Sequence, residues 1–114
     1  MTEIPVSKSG DCLGDAIPNA PYPIIKIRRL EYCALIIVLM DPNENRAAAR
    51  FQNLVAYDAQ GTLLWKVSLP TTSGPDCFTE FDVSKDQLTA FSFSCYRCEV
   101  DLKDGSLITK AFVK

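Results

Sequence analysis

The segment Leu54-Val-Ala-Tyr-Asp-Ala-Gln-Gly-Thr-Leu-Leu-Trp-Lys-Val67 decides the fold class of this 114-residue chain. Two apolar stretches flank a short polar one, Asp58-Ala-Gln-Gly61. Gly61 can take the positive φ angle that closes a hairpin with a loop of three or four residues. The segment therefore predicts two antiparallel strands, over residues 53–58 and 62–68, joined by a tight turn.

Strand signals also precede this hairpin. Alternating apolar and basic residues between Ile24 and Leu30 predict a strand with one solvent-facing side. The apolar run Cys33–Met40 is rich in β-branched residues and too short for a typical helix, which predicts a strand buried on both faces. Asn45 and the alanines after it favour one short helical turn near 45–50, or a simple loop.

The second half of the chain repeats the strand pattern. Predicted strands cover residues 78–84, 88–91, 96–102 and 107–113, with turns at 85–86, 92–95 and 103–105. We therefore predict a single all-β domain over residues 24–114. It should contain seven or eight short strands, mostly in an antiparallel meander, that form two packed sheets or an open partial barrel. The predicted core comprises Ile25, Ile27, Leu35, Ile37, Leu39, Val55, Tyr57, Leu64, Trp65, Phe81, Phe91, Tyr96, Val100, Leu107 and Phe112.

Residues 1–23 differ from the rest of the chain in composition. They hold four of the seven prolines and show no sustained hydrophobic period. Such a segment is predicted to be an extended or partly mobile N-terminal lead-in.

An internal repeat links the two halves of the chain. The sequence Tyr57-Asp58 … Gly61-Thr-Leu-Leu-Trp65 recurs about 43 residues later as Val100-Asp101 … Gly105-Ser-Leu-Ile108, which is the spacing of a four-stranded propeller blade. The first copy resembles one repeat of the quinoprotein-type β-propellers, in which an Asp and a Gly set the hairpin and a Trp packs the blade. A closed propeller needs at least about four blades, and this chain has room for two at most.

A second resemblance covers Ile24 to Lys114. It rests on Leu-Met-Asp41-Pro42, Asn53-Leu-Val-Ala-Tyr-Asp58, Leu88-Thr-Ala-Phe91, Tyr96-Arg-Cys-Glu-Val-Asp101 and Ala-Phe112-Val-Lys114. In this order the chain is similar to a group of small, uncharacterised bacterial proteins made of two hairpin-rich, blade-like halves. The shared motifs are turn and core residues, so the resemblance implies a fold and no known chemistry. The chain departs from the group at Cys95, where Gly is usual, and at Cys98, where an aromatic residue is more frequent.

Composition excludes several classes of function. The chain is 47% hydrophobic, has a net charge of −2 and contains no histidine, so it is neither disordered nor a general binder of nucleic acid. The longest apolar run has eight residues, against about 20 for a membrane-spanning helix. Five cysteines at irregular spacing and no export-type N-terminus lead us to expect a cytoplasmic protein with reduced thiols.

Two pairs of residues are candidates for metal binding, redox chemistry or proton transfer. Cys95-Tyr-Arg-Cys98 has the spacing of a zinc or redox pair, but a second pair and histidine are missing. We predict that Cys98 is a core residue and Cys95 a turn residue, with a thiol switch as the alternative. Asp58 and Asp101 each precede a hairpin glycine and are predicted to accept turn hydrogen bonds rather than to bind metal or transfer protons.

The charged residues and the single tryptophan could also form binding sites. We interpret the basic residues as solvated rather than as a phosphate-binding patch; they are Lys26, Arg28, Arg29, Arg46 and Arg50. The acidic residues are likewise interpreted as solvated surface rather than as a cover for a basic partner; they are Asp76, Glu80, Asp82 and Asp86. Trp65 is predicted to be a central core ring rather than a ligand platform.

The sequence contains no recognisable catalytic triad, carboxylate pair or phosphate loop. We assign no catalytic, cofactor-binding or metal-binding residue. The leading hypothesis is a non-catalytic protein-binding or accessory domain, for example of the immunity type, that meets a protein partner or dimerises through a strand edge. The alternative is a small-ligand-binding or hydrolytic domain with a pocket near Trp65 and the loop 70–76.

Overall fold

The structure is a computed structural model that describes residues 20–30, 33–45, 49–85 and 87–113. The elements are β1 (Ile24–Leu30), β2 (Leu35–Met40), a short 3₁₀-helix (Pro42–Asn45), β3 (Leu54–Tyr57), β4 (Leu63–Lys66), β5 (Phe78–Ser84), β6 (Gln87–Ser92), β7 (Tyr96–Val100) and β8 (Leu107–Phe112). Within these ranges no helix has the length and apolar character needed to cross a membrane.

The eight strands form two four-stranded antiparallel sheets, each a simple meander. The first sheet has the order β1-β2-β3-β4 and the second has the order β5-β6-β7-β8. This confirms the predicted all-β fold and selects two packed sheets over the partial barrel. A 3₁₀-helix covers Pro42–Asn45. The helical turn or loop expected near 45–50 falls mostly on residues 46–48, which, like residues 1–19, lie outside the described ranges.

Glycine-closed turns explain why the last two strands of each sheet form tight hairpins. Gly61 has a φ of 88° and Gly105 has a φ of 81°. Asp58 Oδ1 accepts hydrogen bonds from the amides of residues 60 and 62, and Asp101 Oδ1 accepts one from the amide of residue 103. The predicted turn role of both aspartates is confirmed, and the internal repeat corresponds to equivalent hairpins of the two sheets.

The main core lies between the sheets. It is an inner cluster that contains Leu30, Leu35, Ile37, Leu39, Leu54, Ala56, Val67, Phe78, Phe81, Leu88, Ala90 and Val100, with Trp65 packed against it. Gly105 lies where the sheets meet, because an added Cβ would come within 2.6 Å of both Lys66 O and Trp65 Cε3. Buried Asn53 also joins the sheets, since its Nδ2 donates to the carbonyls of Met40 and Phe78 while its Oδ1 accepts from the Phe78 amide.

A second cluster covers the opposite face of the first sheet. This outer cluster contains Ile27, Ile36, Val38, Met40, Phe51, Val55 and Tyr57. Every residue of β2 is buried, which confirms a strand with two apolar faces. The strand begins at Leu35 and not at the predicted Cys33, because Cys33 and Ala34 are exposed and Ala34 has a φ of 56°. The first sheet therefore has apolar side chains on both faces. The second sheet contributes its apolar face to the inner cluster.

Three predicted core residues are exposed, and two others, Phe91 and Tyr96, are partly buried and belong to neither core cluster. Ile25 is 52% exposed, Leu64 is 46% exposed and Phe112 is 58% exposed. The pairing of β1 with β2 shifts between Ile24 and Lys26, which breaks the simple alternation on which Ile25 was assigned. Leu64 and Phe112 lie on β4 and β8, the last strands of the two sheets, where no further strand covers them.

Candidate functional site

The outer edge of β8 is the first candidate site. The Val113 amide donates to Cys95 O at 2.7 Å, which fixes the hydrogen-bonding phase of β8 against β7. Because antiparallel pairs alternate, Ala111 and Thr109 bond to β7, while the N–H and C=O groups of Lys110 and Phe112 point away from the sheet. No described residue bonds to these outward groups, and Ile108 and Phe112 add exposed apolar side chains.

Lys110 does not shield this edge, although lysine often protects edge strands. Its ammonium donates to Pro70 O at 2.6 Å and lies 5.7 Å from the centre of the Tyr96 ring. The side chain is therefore held toward the loop after β4. Phe112 stays beside it, with its ring 5.5 Å from that of Tyr96 in an edge-to-face contact.

On the opposite edge strand of the same sheet, β5, side chains occupy the backbone groups of one residue, Phe81. Glu80 Oε1 accepts a hydrogen bond from the Phe81 amide at 2.9 Å, and Lys26 Nζ donates to Phe81 O at 2.6 Å. Lys26 also pairs with Glu80 at 2.9 Å, and this hydrogen bond is the main reason that the pKa of Glu80 is lowered. The backbone groups of Phe81 are thus occupied, in contrast to those of Lys110 and Phe112.

A cavity on the outer face of the first sheet is the second candidate site. Its volume is about 320 Å³. Val55 and Met40 of the outer cluster contribute to its walls, and the rings of Tyr22 and Phe51 stand beside each other with centres 4.9 Å apart and planes at 70°. Tyr57, Leu63 and Lys66 line it from the hairpin of β3 and β4. The cavity is therefore bounded by both regular strands and the loops that flank them.

Polar groups in this cavity are basic or neutral. Tyr57 is only 5% exposed, burial raises its pKa, and its hydroxyl makes no hydrogen bond to any described residue. Arg50 and Lys66 also line the cavity, and its described lining includes no acidic side chain. The Arg50 guanidinium donates to the carbonyls of Thr71 and Gly74 and to Thr71 Oγ1, which holds it in place.

Trp65 itself faces the other way from this cavity. It packs against the inner cluster, as predicted for a core ring, while its neighbour Lys66 lines the cavity. Successive side chains of a strand point to opposite faces, so β4 separates Trp65 from this space. A pocket on the Trp65 side of β4 stays a prediction.

Asp76 is not the solvated acid that the sequence predicts. It is 2% exposed and accepts hydrogen bonds from Thr71 Oγ1 at 2.5 Å, from Ser94 Oγ at 3.0 Å and from the amides of Ser94 and Cys77. The prediction failed because these donors come from separate parts of the chain. Asp76 ties the loop after β4 to the β6–β7 turn. The solvated interpretation holds for Asp82, which is exposed. Glu80 is exposed as well but pairs with Lys26 and accepts the Phe81 amide, and Asp86 lies outside the described residues.

The two cysteines of the Cys95–Cys98 pair have different surroundings. Cys98 is buried, and burial, followed by the charge of Asp76, raises its pKa to about 11 against the opposing effect of Lys110. Cys95 is exposed and has a φ of 72° in the β6–β7 turn. The predicted core and turn positions are confirmed. Among the described residues no group of three or more metal-ligating side chains is placed to hold an ion.

The basic residues likewise divide among separate contacts. Lys26 pairs with Glu80 of the second sheet, whereas Arg50 holds the loop 71–74. Arg28 and Arg29 are partly exposed on β1, and Arg46 lies outside the described ranges.

Comparison with known families assigns the chain to one group. A family model described as a domain of unknown function, DUF7957, matches residues 1–112. The chain belongs to the DUF7957 family. No curated protein and no solved structure matches the chain. For this DUF7957 domain, the ligands and partners of a site are therefore inferred from the geometry of its own residues.

For this DUF7957 domain the sequence predicted binding through a strand edge without identifying β8, and it did not predict the cavity. The open state of β8 depends on the order of strands in the sheet, which no local signal reveals. The cavity depends on Tyr22 and Phe51, which lie outside the strands. The available signal was the basic Lys66 directly beside Trp65 on a strand, since alternate residues face opposite sides.

Proposed function

We propose that this DUF7957 domain is a non-catalytic binding domain that takes up an extended strand of a partner protein along β8. The observation that carries the proposal is the pair of outward-facing backbone groups at Lys110 and Phe112, which no described residue occupies. Unpaired strand edges bind further strands. In such complexes main-chain hydrogen bonds supply affinity, and alternate side chains supply specificity.

The chemistry of β8 indicates what the partner strand should contain. Lys110 and Phe112 offer two donors and two acceptors, and each backbone hydrogen bond contributes about 0.5–1.5 kcal/mol net. Exposed Phe112 is an aromatic anchor of the kind that dominates many interfaces. A partner strand with an apolar side chain facing this ring, and with no proline opposite Lys110, satisfies both requirements.

Several broader expectations belong to the same proposal. An accessory or immunity-type role suits a domain that covers part of its partner without reacting with it. A bacterial, cytoplasmic protein accords with the free thiols of Cys77, Cys95 and Cys98. The similarity of the segment Leu54–Val67 to a quinoprotein-type propeller repeat is supported by its Asp-and-Gly turn.

The test compares three immobilised baits in a lysate of the source cell: the full chain, Lys110→Pro and Lys110→Met. Proline removes the outward amide of β8 and is tolerated at sheet edges. Methionine keeps that amide and removes only the ammonium that bonds to Pro70. We expect the wild type and Lys110→Met to retain the same stoichiometric protein, and Lys110→Pro to lose at least about nine tenths of it. Equal capture by Lys110→Pro would overturn the proposal, and so would no stoichiometric protein on any bait together with a wild-type chain that sediments as a monomer.

Hydrogen exchange measured by NMR provides a readout that does not depend on a variant. In the free domain the amides of Lys110 and Phe112 should exchange faster than those of Thr109 and Ala111, which bond to β7. Addition of the captured protein should slow exchange at Lys110 and Phe112 by at least about tenfold. If binding instead protects β5 and leaves these amides unchanged, the partner does not use β8.

A second copy of the chain is a partner that the same variants identify. If wild type and Lys110→Met sediment as dimers and Lys110→Pro sediments as a monomer, the added strand is β8 of another copy, which still supports strand addition at this edge. A dimer that persists in Lys110→Pro contradicts strand addition between copies at β8.

A further inference from the structure

We infer that the cavity on the outer face of the first sheet binds a small organic anion with an aromatic or branched apolar body. This site is separate from β8, which belongs to the other sheet. The inference goes beyond strand addition, and its test does not require a protein partner.

The size and walls of the cavity define the body of the ligand. A volume of about 320 Å³ is at the lower end of the range of small-molecule sites, which runs from about 300 to 1,000 Å³. Val55 and Met40 present apolar surface, and the Tyr22 and Phe51 rings form a preformed edge-to-face pair. These walls suit a planar or branched apolar group.

The Tyr57 hydroxyl is the independent observation that indicates a ligand. It belongs to a side chain that is 5% exposed, yet it makes no hydrogen bond to any described residue. No buried side-chain nitrogen or oxygen of the described residues lacks a hydrogen-bond partner, so the unbonded Tyr57 hydroxyl is open to solvent at the cavity and is available to a bound molecule. Tyr57 therefore supplies a directional donor next to the apolar walls.

The charges around the cavity determine the sign of the ligand. Arg50 and Lys66 line it, and acidic side chains are missing from its described lining. Among the described residues the one ion pair joins Lys26 to Glu80, so neither cavity cation is neutralised by a carboxylate. Arg50 is held by the loop 71–74, while Lys66 is exposed and makes no such contact. A carboxylate on the ligand would give the Lys66 ammonium a charge-assisted hydrogen bond.

The experiment uses two probes of nearly equal shape, indole-3-carboxylate and indole-3-carboxamide. Each is titrated into the full-length chain and followed by calorimetry and by amide chemical shifts. We expect the carboxylate to bind at least about tenfold more tightly than the amide, because only the carboxylate makes a charge-assisted bond. We also expect the largest shifts at Val55 and Tyr57. If no binding is detected with the carboxylate at about 5 mM, the inference is wrong.

Three single variants assign the interactions. Lys66→Met keeps the apolar stem and should weaken carboxylate binding at least about fivefold while leaving amide binding unchanged. Tyr57→Phe keeps the ring and should weaken both probes. Lys103→Met removes an exposed lysine of the β7–β8 turn and serves as the matched control, with no change for either probe. Equal losses in Lys66→Met and Lys103→Met would show a general charge effect and contradict a site at this cavity.

Discussion

The two sheets have the same topology and opposite outer faces. Each is a four-stranded meander whose last hairpin is closed by an aspartate and a glycine. The outer face of the first sheet buries Ile36, Val38, Val55 and Tyr57. On the second sheet the residues that face away from the inner cluster are mostly polar and at least partly exposed; they include Asp82, Thr89, Phe91, Arg97, Glu99, Thr109 and Ala111. Turn chemistry thus fixes the strand order in both halves, while side-chain pattern decides whether a sheet has one apolar face or two.

This difference assigns a separate role to each sheet. The first sheet carries apolar layers on both sides and contains the cavity next to its outer cluster. The second sheet presents a polar outer face to solvent and offers its unpaired groups at β8. The two proposed binding sites therefore lie on different sheets of one small domain.

A negative charge placed on the outer face of each sheet should give the largest difference in stability between the two sheets. Val38→Asp puts a carboxylate at a fully buried position of the central strand β2. We expect a loss of about 4 kcal/mol or more in the free energy of unfolding, because a buried unpaired charge is among the costliest changes. Urea denaturation followed by circular dichroism measures this loss.

Ala111→Asp is the matched change on the second sheet. Ala111 is exposed and lies opposite Arg97, so the new carboxylate meets a basic neighbour and the change should stay within about 0.5 kcal/mol. A loss below about 1 kcal/mol for Val38→Asp would mean that the outer face of the first sheet is as tolerant as that of the second.

The contact between the two sheets should respond less strongly, at Gly105. An alanine Cβ at this position would lie 2.6 Å from Lys66 O and Trp65 Cε3, and the residue has a φ of 81°. Left-handed strain of about 1–2 kcal/mol and overpacking of about 1–3 kcal/mol together predict a loss of about 3 kcal/mol for Gly105→Ala.

Gly74→Ala separates those two effects in the same denaturation experiment. Gly74 has a φ of 86° with no atom within 4 Å of an added Cβ, so only the backbone strain of about 1–2 kcal/mol applies. Equal losses at the two glycines would show that the approach of the β7–β8 turn to Trp65 contributes nothing to stability.

Local chemistry explains which parts of the fold could be predicted. The hairpins at Gly61 and Gly105 could be predicted because the turn residues and the strands they join are adjacent in sequence. The two-faced burial of β2 is readable because a run of apolar residues has no polar face to expose. Ile25 was misplaced because a one-residue irregularity next to Ile24 changes which face a side chain takes.

Features that depend on distant segments could not be predicted. Asp76 is buried because its hydroxyl donors come from the preceding loop and from Ser94, 18 residues away. The exposure of Phe112 follows from the place of β8 at the edge of its sheet. The cavity requires Tyr22 to meet Phe51, which no pattern within either segment encodes.

The smallest expected effect lies in turns that lack glycine. Cys95 closes the β6–β7 turn with a φ of 72°, and Ala34 precedes β2 with a φ of 56°. Both side chains are exposed, so replacement by glycine removes strain and little packing. The relief of about 1–2 kcal/mol, less about 0.5–1 kcal/mol for the greater freedom of glycine in the unfolded chain, predicts a net gain of about 0.5–1 kcal/mol for each variant.

Cys95→Ala is the control in this series, because it removes the thiol and keeps the strained backbone. Its free energy of unfolding should match that of the wild type, while Cys95→Gly and Ala34→Gly should gain similar amounts in urea denaturation. A gain in Cys95→Ala equal to that in Cys95→Gly would trace the effect to the sulfur instead of to φ. If only Cys95→Gly gains stability, backbone strain is stored in the β6–β7 turn of the second sheet but not at Ala34 of the first. The two sheets would then share their strand order but differ in turn strain as well as in the polarity of their outer faces.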